Sequence, residues 1–457
     1  MVGKLFGTSG VRGVINKDIT PELAIDLGLA LATHLKNSGT VVVGKDPRTS
    51  SDMLESCLIS GLLSGGCDVK RLSIVPTPAV SFAIRFLNAD SGIMITASHN
   101  PPEYNGMKFW NRDGMAYTTE QEAKIETIYY SKKLSFVTWD KIGKFEDVDV
   151  LPGYMDEITS DVSLSRSYKV VLDCGNGAGA LVTPYLLRKL GCKVITLNSQ
   201  VDGFFPGRGL EPTPENLGEL CNVVKSIGAD IGFAHDGDAD RIAAVDEKGR
   251  VANPDKLLSL ISAHQLKKEG DIVITTVDAS DAIDESVGEK KGKVVRTSVG
   301  DVSVAVEVKR RGAIFGGEPC GAWIFPTVTL APDGPLAAAK ILELLDSSGK
   351  SLSELLDSIP EHPTVRKKIT CPNEKKPTVM KKFKAELRKE FRGIRRVLTI
   401  DGVRFSFIDG TWVLVRPSGT EPCIRITAGG KKENDVRKIV EETSRILKSL
   451  LVKEKKR

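Results

Sequence analysis

Four short stretches of this chain carry residue types whose spacing could do chemistry on a phosphate and a sugar. In Thr96-Ala97-Ser98-His99-Asn100-Pro101-Pro102 a serine and a histidine follow the apolar run Gly92-Ile93-Met94-Ile95. The run reads as a buried strand, and the ends of strands in α/β sheets are where ligands usually bind. Pro101 and Pro102 fix their own φ and disfavour helix at the residue before each, so the loop stays a loop and holds Ser98 at the strand end. The other three stretches are Asp236-Gly237-Asp238-Ala239-Asp240-Arg241, Gly317-Glu318-Pro319-Cys320-Gly321 and Arg416-Pro417-Ser418-Gly419-Thr420-Glu421-Pro422. Together with Ser98 they suggest a phosphorylated serine, a divalent cation, a sugar and a second phosphate.

Asp236, Asp238 and Asp240 alternate, and an extended backbone would point their carboxylates to one side. Three such charges repel one another unless a cation neutralises them, and an all-oxygen set suits Mg²⁺. An EF-hand also begins D-x-D-x-D, with Glu247 at its twelfth position, but Arg241 stands where that loop needs glycine and Ile242 to Val245 reads as a strand. A haloacid-dehalogenase-type phosphatase, with Asp236 as nucleophile, is the better rival; it leaves the Ser98 and Arg416 loops without a purpose. The Arg416 loop offers a guanidinium, two hydroxyls and small residues whose N–H groups can converge, which is the inventory of an anion nest. Gly175-Asn176-Gly177-Ala178-Gly179-Ala180 matches G-x-G-x-x-A after a strand, but no acidic residue ends the next strand near Asn198 to grip a ribose. Those glycines read as a tight strand–helix turn. His99 and His235 fall in the site; His34, His264 and His362 read as ordinary helix or loop residues.

The elements that must position these loops repeat loosely three times. Each copy opens with a strand (Thr40 to Gly44, Lys169 to Asp173, Asp271 to Thr275) and continues with a helix and a second strand. Each closes on a third strand that runs into one of the charged loops. Leu181 to Leu190 is the helix of the second copy. Alternation of this kind means parallel α/β units, and three equivalent strand ends are expected to face one cleft. Helix Pro21 to Leu35 precedes the first copy, and Gly7-Thr8-Ser9-Gly10-Val11-Arg12-Gly13 reads as a further loop. Beyond about Glu361 the pattern changes. A helix from Val379 to Phe391, strands near Arg396 to Ile400, Val403 to Phe407, Trp412 to Val415 and Cys423 to Thr427, and a closing helix from Glu433 to Leu450 read as a smaller α+β unit. The expected division is 1–152 around Ser98, 153–253 around the aspartates, 254–362 around Glu318 and 363–457 around Arg416.

Composition narrows the class. The 457 residues exceed one ordinary domain. Net charge is only +5, and the basic segments at Arg366 to Arg396 and Lys453 to Arg457 lack the interleaved aromatics of a nucleic-acid binder. The eight cysteines form no C-x-x-C, which excludes a zinc ribbon or thioredoxin-like site. No signal peptide precedes Lys4-Leu5-Phe6, and no apolar run approaches the roughly 18 residues of a membrane span. A reduced, soluble, cytoplasmic protein without nucleic-acid or membrane partners is expected; its oligomeric state is not readable. A metal-dependent phosphatase would release inorganic phosphate. A non-catalytic sugar-phosphate sensor would have no need of Ser98, so the intact Ser98 and aspartate set argues for an enzyme.

In this order the four loops resemble those of the α-D-phosphohexomutase superfamily, over nearly the whole chain. The segment Gly317 to Phe325 looks most like its archaeal-type phosphoglucosamine mutase branch, with phosphomannomutase/phosphoglucomutase members next. The resemblance implies three similar α/β domains with mixed sheets plus a smaller fourth, around a central cleft. It implies an isomerase that carries phosphate on Ser98 and interconverts glucosamine 6-phosphate and glucosamine 1-phosphate through a 1,6-bisphosphate. One Mg²⁺ would be held by Asp236, Asp238, Asp240 and the Ser98 phosphate. Arg12, His99, Lys108 and Arg241 would assist transfer, and Glu318, Cys320, Arg416, Ser418, Gly419 and Thr420 would bind substrate. Cys320 and Ala322 stand where many bacterial members have serine and histidine, so no acid–base role carries over to Ala322.

Overall fold

The structure is a computed structural model and describes residues 5–7, 10–418 and 422–453. Val-rich runs supply the inner strands, and some helices start at a side-chain cap. Thr20 accepts from the Leu23 N–H ahead of helix Pro21–His34, with Pro21 in its first turn. Thr118 and Gln121 form a capping box at helix Thr119–Ser131.

Four sheets follow one another along the chain. In the first, the strands lie in the order Val11–Val14, Tyr104–Asn111, Ser91–Ile95, Thr40–Lys45, Asp68–Ile74, Phe145–Asp147. In the second the order is Ile242–Asp246, Ile231–His235, Lys169–Asp173, Lys193–Leu197; in the third, Lys293–Thr297, Ile272–Thr276, Phe315–Gly317, Trp323–Ile324. The fourth is antiparallel throughout, in the order Thr364–Thr370, Cys423–Gly429, Trp412–Pro417, Val403–Phe407, Ile394–Leu398.

The three repeats share one device. The inner strands of each are parallel, but the third strand turns back into an antiparallel neighbour: Ser91–Ile95 into Tyr104–Asn111, Ile231–His235 into Ile242–Asp246, and Phe315–Gly317 into Trp323–Ile324. The Ser98, Asp236 and Glu318 loops are those three connections. The Arg416 loop joins two antiparallel strands in the same way. All four loops are therefore anchored at both ends by ladder hydrogen bonds.

Three local expectations change. Arg12 lies on strand Val11–Val14, paired with Tyr104–Asn111, rather than in a loop. The helix expected from Leu181 to Leu190 is split into a 3₁₀ turn, Ala178–Leu181, and helix Thr183–Lys189, because Pro184 sits best in a helix's first turn. Strand Thr364–Thr370 carries too many exposed lysines and arginines to be read as a strand.

The core reaches across units. One apolar cluster runs from Val42, Phe82 and Trp110 through Val170, Leu172 and Phe233 to Phe315 and Trp323. Residues of the fourth unit pack among themselves around Phe383, Phe405 and Ile426. The fourth unit joins the third through a small cluster of Val277, Trp412 and Leu414. Among the described residues, no helix is long and apolar enough to cross a membrane.

Candidate active site

Ser98 has a left-handed backbone, φ 49°, which a residue with a side chain adopts only when its surroundings impose it. Buried Arg48 imposes it. Its Nη1 donates to the carbonyls of Pro101 (2.6 Å) and Tyr104 (2.9 Å), and its Nη2 to those of Ser98 (2.8 Å) and Asn100 (2.8 Å). Asp46 orients Arg48 at 3.0 Å and accepts from Thr96 Oγ1, which in turn accepts from the Ser98 N–H. The prolines stiffen the loop, but the arginine sets its shape. Ser98 Oγ donates to Asp236 Oδ2 at 2.6 Å and lies 3.3 Å from His99 Nδ1. Burial, then the positive charges of Arg241, Arg12 and Arg48, push the His99 imidazole down to about 3, so it is neutral at neutral pH.

The aspartates are not on an extended segment. Residues 236–240 form a turn in which Ala239 has φ 54°. The alternation was a poor guide because the strand ends at His235 and the chain must reverse into Ile242–Asp246. The turn nevertheless gathers one carboxylate oxygen from each of Asp236, Asp238 and Asp240 within 4.8 Å of one another. Burial and mutual repulsion push Asp236 up to about 7 and Asp240 well above the usual carboxylate range. Asp238 Oδ1 and Asp240 Oδ1 are buried with no hydrogen-bond partner. A buried carboxylate oxygen that accepts no hydrogen bond is costly, and two beside a third carboxylate fit a hard cation that takes oxygen ligands.

Three elements clamp this turn. Thr77 donates from Oγ1 to Asp238 Oδ2 at 2.7 Å and from its N–H to the Asp238 carbonyl at 2.9 Å. His235 is buried, with Nδ1 2.9 Å from the Arg241 carbonyl and Nε2 3.1 Å from Thr183 Oγ1. Arg208 pairs with Asp173 at 2.8 Å and donates to the His235 carbonyl at 2.6 Å.

The Glu318 loop meets the aspartate turn directly. Ile242 N–H donates to the Gly321 carbonyl at 3.2 Å, and Arg241 bridges to Ala322. Gly321 has φ 87°, and a Cβ there would come within 2.0 Å of the Ile242 carbonyl, so only glycine fits. Glu318 is 7% exposed and accepts from the Gly300 N–H at 3.0 Å. Burial, with Asp278 and Asp301 nearby, pushes it up to about 8. Cys320 is exposed beside it.

Arg12 Nη1 donates to Asn100 Oδ1 at 2.8 Å, beside Ser98. Lys108 is buried and pairs with Asp301 of the third unit. Burial works against its ammonium, but Asp301 and Asp240 more than offset this and hold it protonated. Arg241 reaches Glu211 at 3.2 Å and has its own N–H on Asp236 Oδ1. Arg416 donates to Asp401 at 2.8 Å, and Asp401 also accepts from the Val299 N–H at 3.3 Å, which ties the fourth unit to the third. Ser418 is buried in the fourth unit, where its carbonyl accepts from Lys376 at 2.6 Å. Gly419 and Thr420 lie outside the described residues.

The first three loops thus come together in one place, with Arg12, His99, Lys108 and Arg241 between them. Sequence reasoning missed Arg48, Thr77, Arg208, Asp301 and Asp401. Only Asp301 left a trace, as a glycine–aspartate pair just after the second strand of the third repeat.

A fold of three α/β units and an antiparallel fourth, closing on a serine, an acidic trio and a buried glutamate, defines a phosphosugar enzyme of the phosphohexomutase class. The chain matches the phosphoglucomutase/phosphomannomutase family in all four parts: α/β/α domain I at residues 3–135, domain II at 152–249, domain III at 253–362 and the C-terminal domain at 367–446. It therefore belongs to that family. A protein of Methanothermobacter thermautotrophicus described as a probable phosphoglucosamine mutase is 51% identical over 448 residues, 98% of each chain. One of Pyrococcus abyssi with the same description is 48% identical over 453 residues, 99% of each. The solved structure of a phosphoglucomutase/phosphomannomutase family protein from Burkholderia thailandensis superposes with a TM-score of 0.89 at 30% identity, covering 98% of both chains.

Proposed function

We propose that this chain interconverts glucosamine 6-phosphate and glucosamine 1-phosphate by passing a phosphoryl group through Ser98. The observation that carries the reading is Ser98 Oγ, 2.6 Å from Asp236 in a carboxylate trio with two buried oxygens that accept no hydrogen bond. The near-half identity over the full chain to proteins described as phosphoglucosamine mutases supports the choice of sugar.

In the first step the bond between phosphorus and Ser98 Oγ breaks as one forms to the sugar O1. The O1 proton ends on the released Ser98 Oγ, and glucosamine 1,6-bisphosphate results; in the return step that proton goes to O6. The bisphosphate then presents its other end, and the O6 phosphoryl returns to Ser98. Such transfer needs positioning and charge stabilisation more than covalent chemistry. Asp236, Asp238 and Asp240 would hold one Mg²⁺ with the Ser98 phosphate, and the ion would supply neutralisation of charge on the phosphoryl oxygens. Protonated Lys108, Arg12 and Arg241 bring positive charge to the transferring group. His99 stays neutral and acts as a hydrogen-bonding neighbour of Ser98. Glu318 reads the sugar, with Cys320 a poor hydrogen-bond partner beside it. Arg416 and its loop, with Ser418, Gly419 and Thr420, hold the phosphate that is not reacting.

The reading includes the division at 152, 253 and 362, supported by the run of strands, which starts a new sheet after each point. It also includes a reduced, cytoplasmic setting, in keeping with eight free cysteines. Intact mass after incubation with glucose 1,6-bisphosphate should show one phosphate, mapping to Ser98 and absent in Ser98→Ala. Side-by-side kcat/KM for glucosamine, glucose and mannose 6-phosphates should favour glucosamine. A preference for mannose or glucose would move the assignment to a phosphomannomutase/phosphoglucomutase, and mutase turnover retained by Ser98→Ala would end the mechanism.

A further inference from the structure

Three successive residues at the start of helix Asp301–Arg311 each bond to a different part of the site. Val299 N–H donates to Asp401, the carboxylate that also binds Arg416. Gly300 N–H donates to Glu318 Oε2 at 3.0 Å. The Asp301 carboxylate pairs with Lys108, which belongs to the first unit. Gly300 has φ 123°, and no atom lies within 4 Å of where its Cβ would be. The glycine is thus there for its backbone angle and not to make room.

We infer that Val299–Asp301 is a positioning turn that sets Lys108, Glu318 and Arg416 in common register, and that Asp301 is the positioning residue for Lys108. The inference rests on the proposed function for what Lys108 does, but not for what holds it.

Two physical points separate this from an ordinary ion pair. Side-chain exposures are 6% for Lys108 and 14% for Asp301. A pair so buried returns little net stability, because desolvation offsets attraction, so stability alone does not account for it. Lysine is also a point charge on a flexible stem with about 2 kcal/mol of rotamer entropy. A lysine meant to meet a transferring phosphoryl group needs its ammonium fixed. Asp301 does this from the third unit, while the neighbouring N–H orients the sugar-reading carboxylate. A shift of one turn would misplace both groups at once.

The test is a set of variants with two kinds of readout. Asp301→Asn keeps the shape and removes the charge. It should lower kcat for glucosamine 6-phosphate 10- to 100-fold, change KM less than threefold, and lower the melting temperature as well, because it leaves the buried Lys108 ammonium without its partner. In the Lys108→Met background it should cost nothing further. Asp301→Glu should restore part of kcat, which also guards against a folding artefact. Gly300→Ala should both lower kcat and raise KM. Losses that multiply in the double variant, an undiminished kcat in Asp301→Asn, or a Gly300→Ala protein equal to the wild type would overturn the inference. The second readout needs no turnover. Reductive methylation mapped by mass spectrometry should label Lys108 slowly in the wild type and at least fivefold faster in Asp301→Asn; equal rates would overturn the inference. If the wild type interconverts no sugar phosphate, the functional reading fails, and labelling alone still decides whether Asp301 holds Lys108.

Discussion

At the residue scale, the site is a collection of charges that burial makes costly. Asp238 Oδ1 and Asp240 Oδ1 accept no hydrogen bond although they are buried, and Asp240 Oδ1 has only the Arg241 guanidinium at 3.9 Å. A cation that satisfies them should stabilise the fold by mass action, by about 2.7 kcal/mol at a hundredfold excess over Kd. Thermal melts with and without Mg²⁺ should show a rise in Tm that Asp238→Asn abolishes; chelator-treated protein should lose turnover and regain it with added Mg²⁺. Glu318 is governed by the same physics. Its elevated pKa, about 8, leaves it largely protonated in the empty site at neutral pH, and an ammonium placed beside it would favour the ionised form. Hydrogen bonds to charged groups are worth about 1.5–3 kcal/mol. Glu318→Gln should therefore lower kcat/KM for glucosamine 6-phosphate by one to two orders of magnitude. The loss for glucose 6-phosphate should be smaller, and equal losses for both sugars would remove Glu318 from amine recognition.

At the element scale, each reactive loop is the link between a strand and its antiparallel neighbour, and each is held by a side chain from elsewhere. The Ser98 loop shows this best. Its left-handed serine depends on one buried guanidinium that satisfies four carbonyls. Lysine cannot reproduce that planar fork. Arg48→Lys keeps the charge but leaves buried carbonyls without donors, at about 1–3 kcal/mol for each such group, and should lower kcat at temperatures where the protein remains folded. Urea unfolding and single-turnover transfer from Ser98 would measure the two effects separately; a variant with normal stability and normal transfer would show that the prolines suffice. Pro101 and Pro102 were legible in the sequence as stiffeners, whereas Arg48 lies fifty positions upstream and nothing local marks it.

At the scale of the molecule, the first three units share a core and the fourth has its own. Tyr154 and Asp333 join units inside that shared core: the tyrosine hydroxyl donates to Asp333 Oδ1 at 2.7 Å, and the Leu336 N–H donates to the same oxygen. Burial pushes Asp333 up from 3.8 to about 7. The folded protein therefore keeps a proton between pH 4 and 7 that the unfolded chain has lost, so stability falls as pH rises through that window. The effect is at most ~4 kcal/mol for the rise from 3.8 to about 7. Asp333→Asn keeps the acceptor and removes the charge. Its urea midpoint should change less between pH 5 and pH 7.5 than that of the wild type; parallel changes would mean that Asp333 does not titrate there.

The sequence by itself determined the kind of chemistry and the order of its parts. Apolar runs ending in charged loops, repeated three times, are local signals, and a local signal survives without knowledge of its neighbours. The strands that end in the Ser98, Asp236, Glu318 and Arg416 loops were readable for that reason, as were the α/β repeats and most of the final antiparallel sheet. The tertiary structure decided how those parts meet. The aspartates converge through a turn because the chain must reverse there, not because alternate residues share a face. Lys108 finds Asp301, and Asp401, the partner of Arg416, finds Val299, across unit boundaries. Such pairings depend on the relative placement of separate sheets, set by a shared core and by hydrogen bonds between residues more than a hundred positions apart, for which spacing along the chain carries no signal.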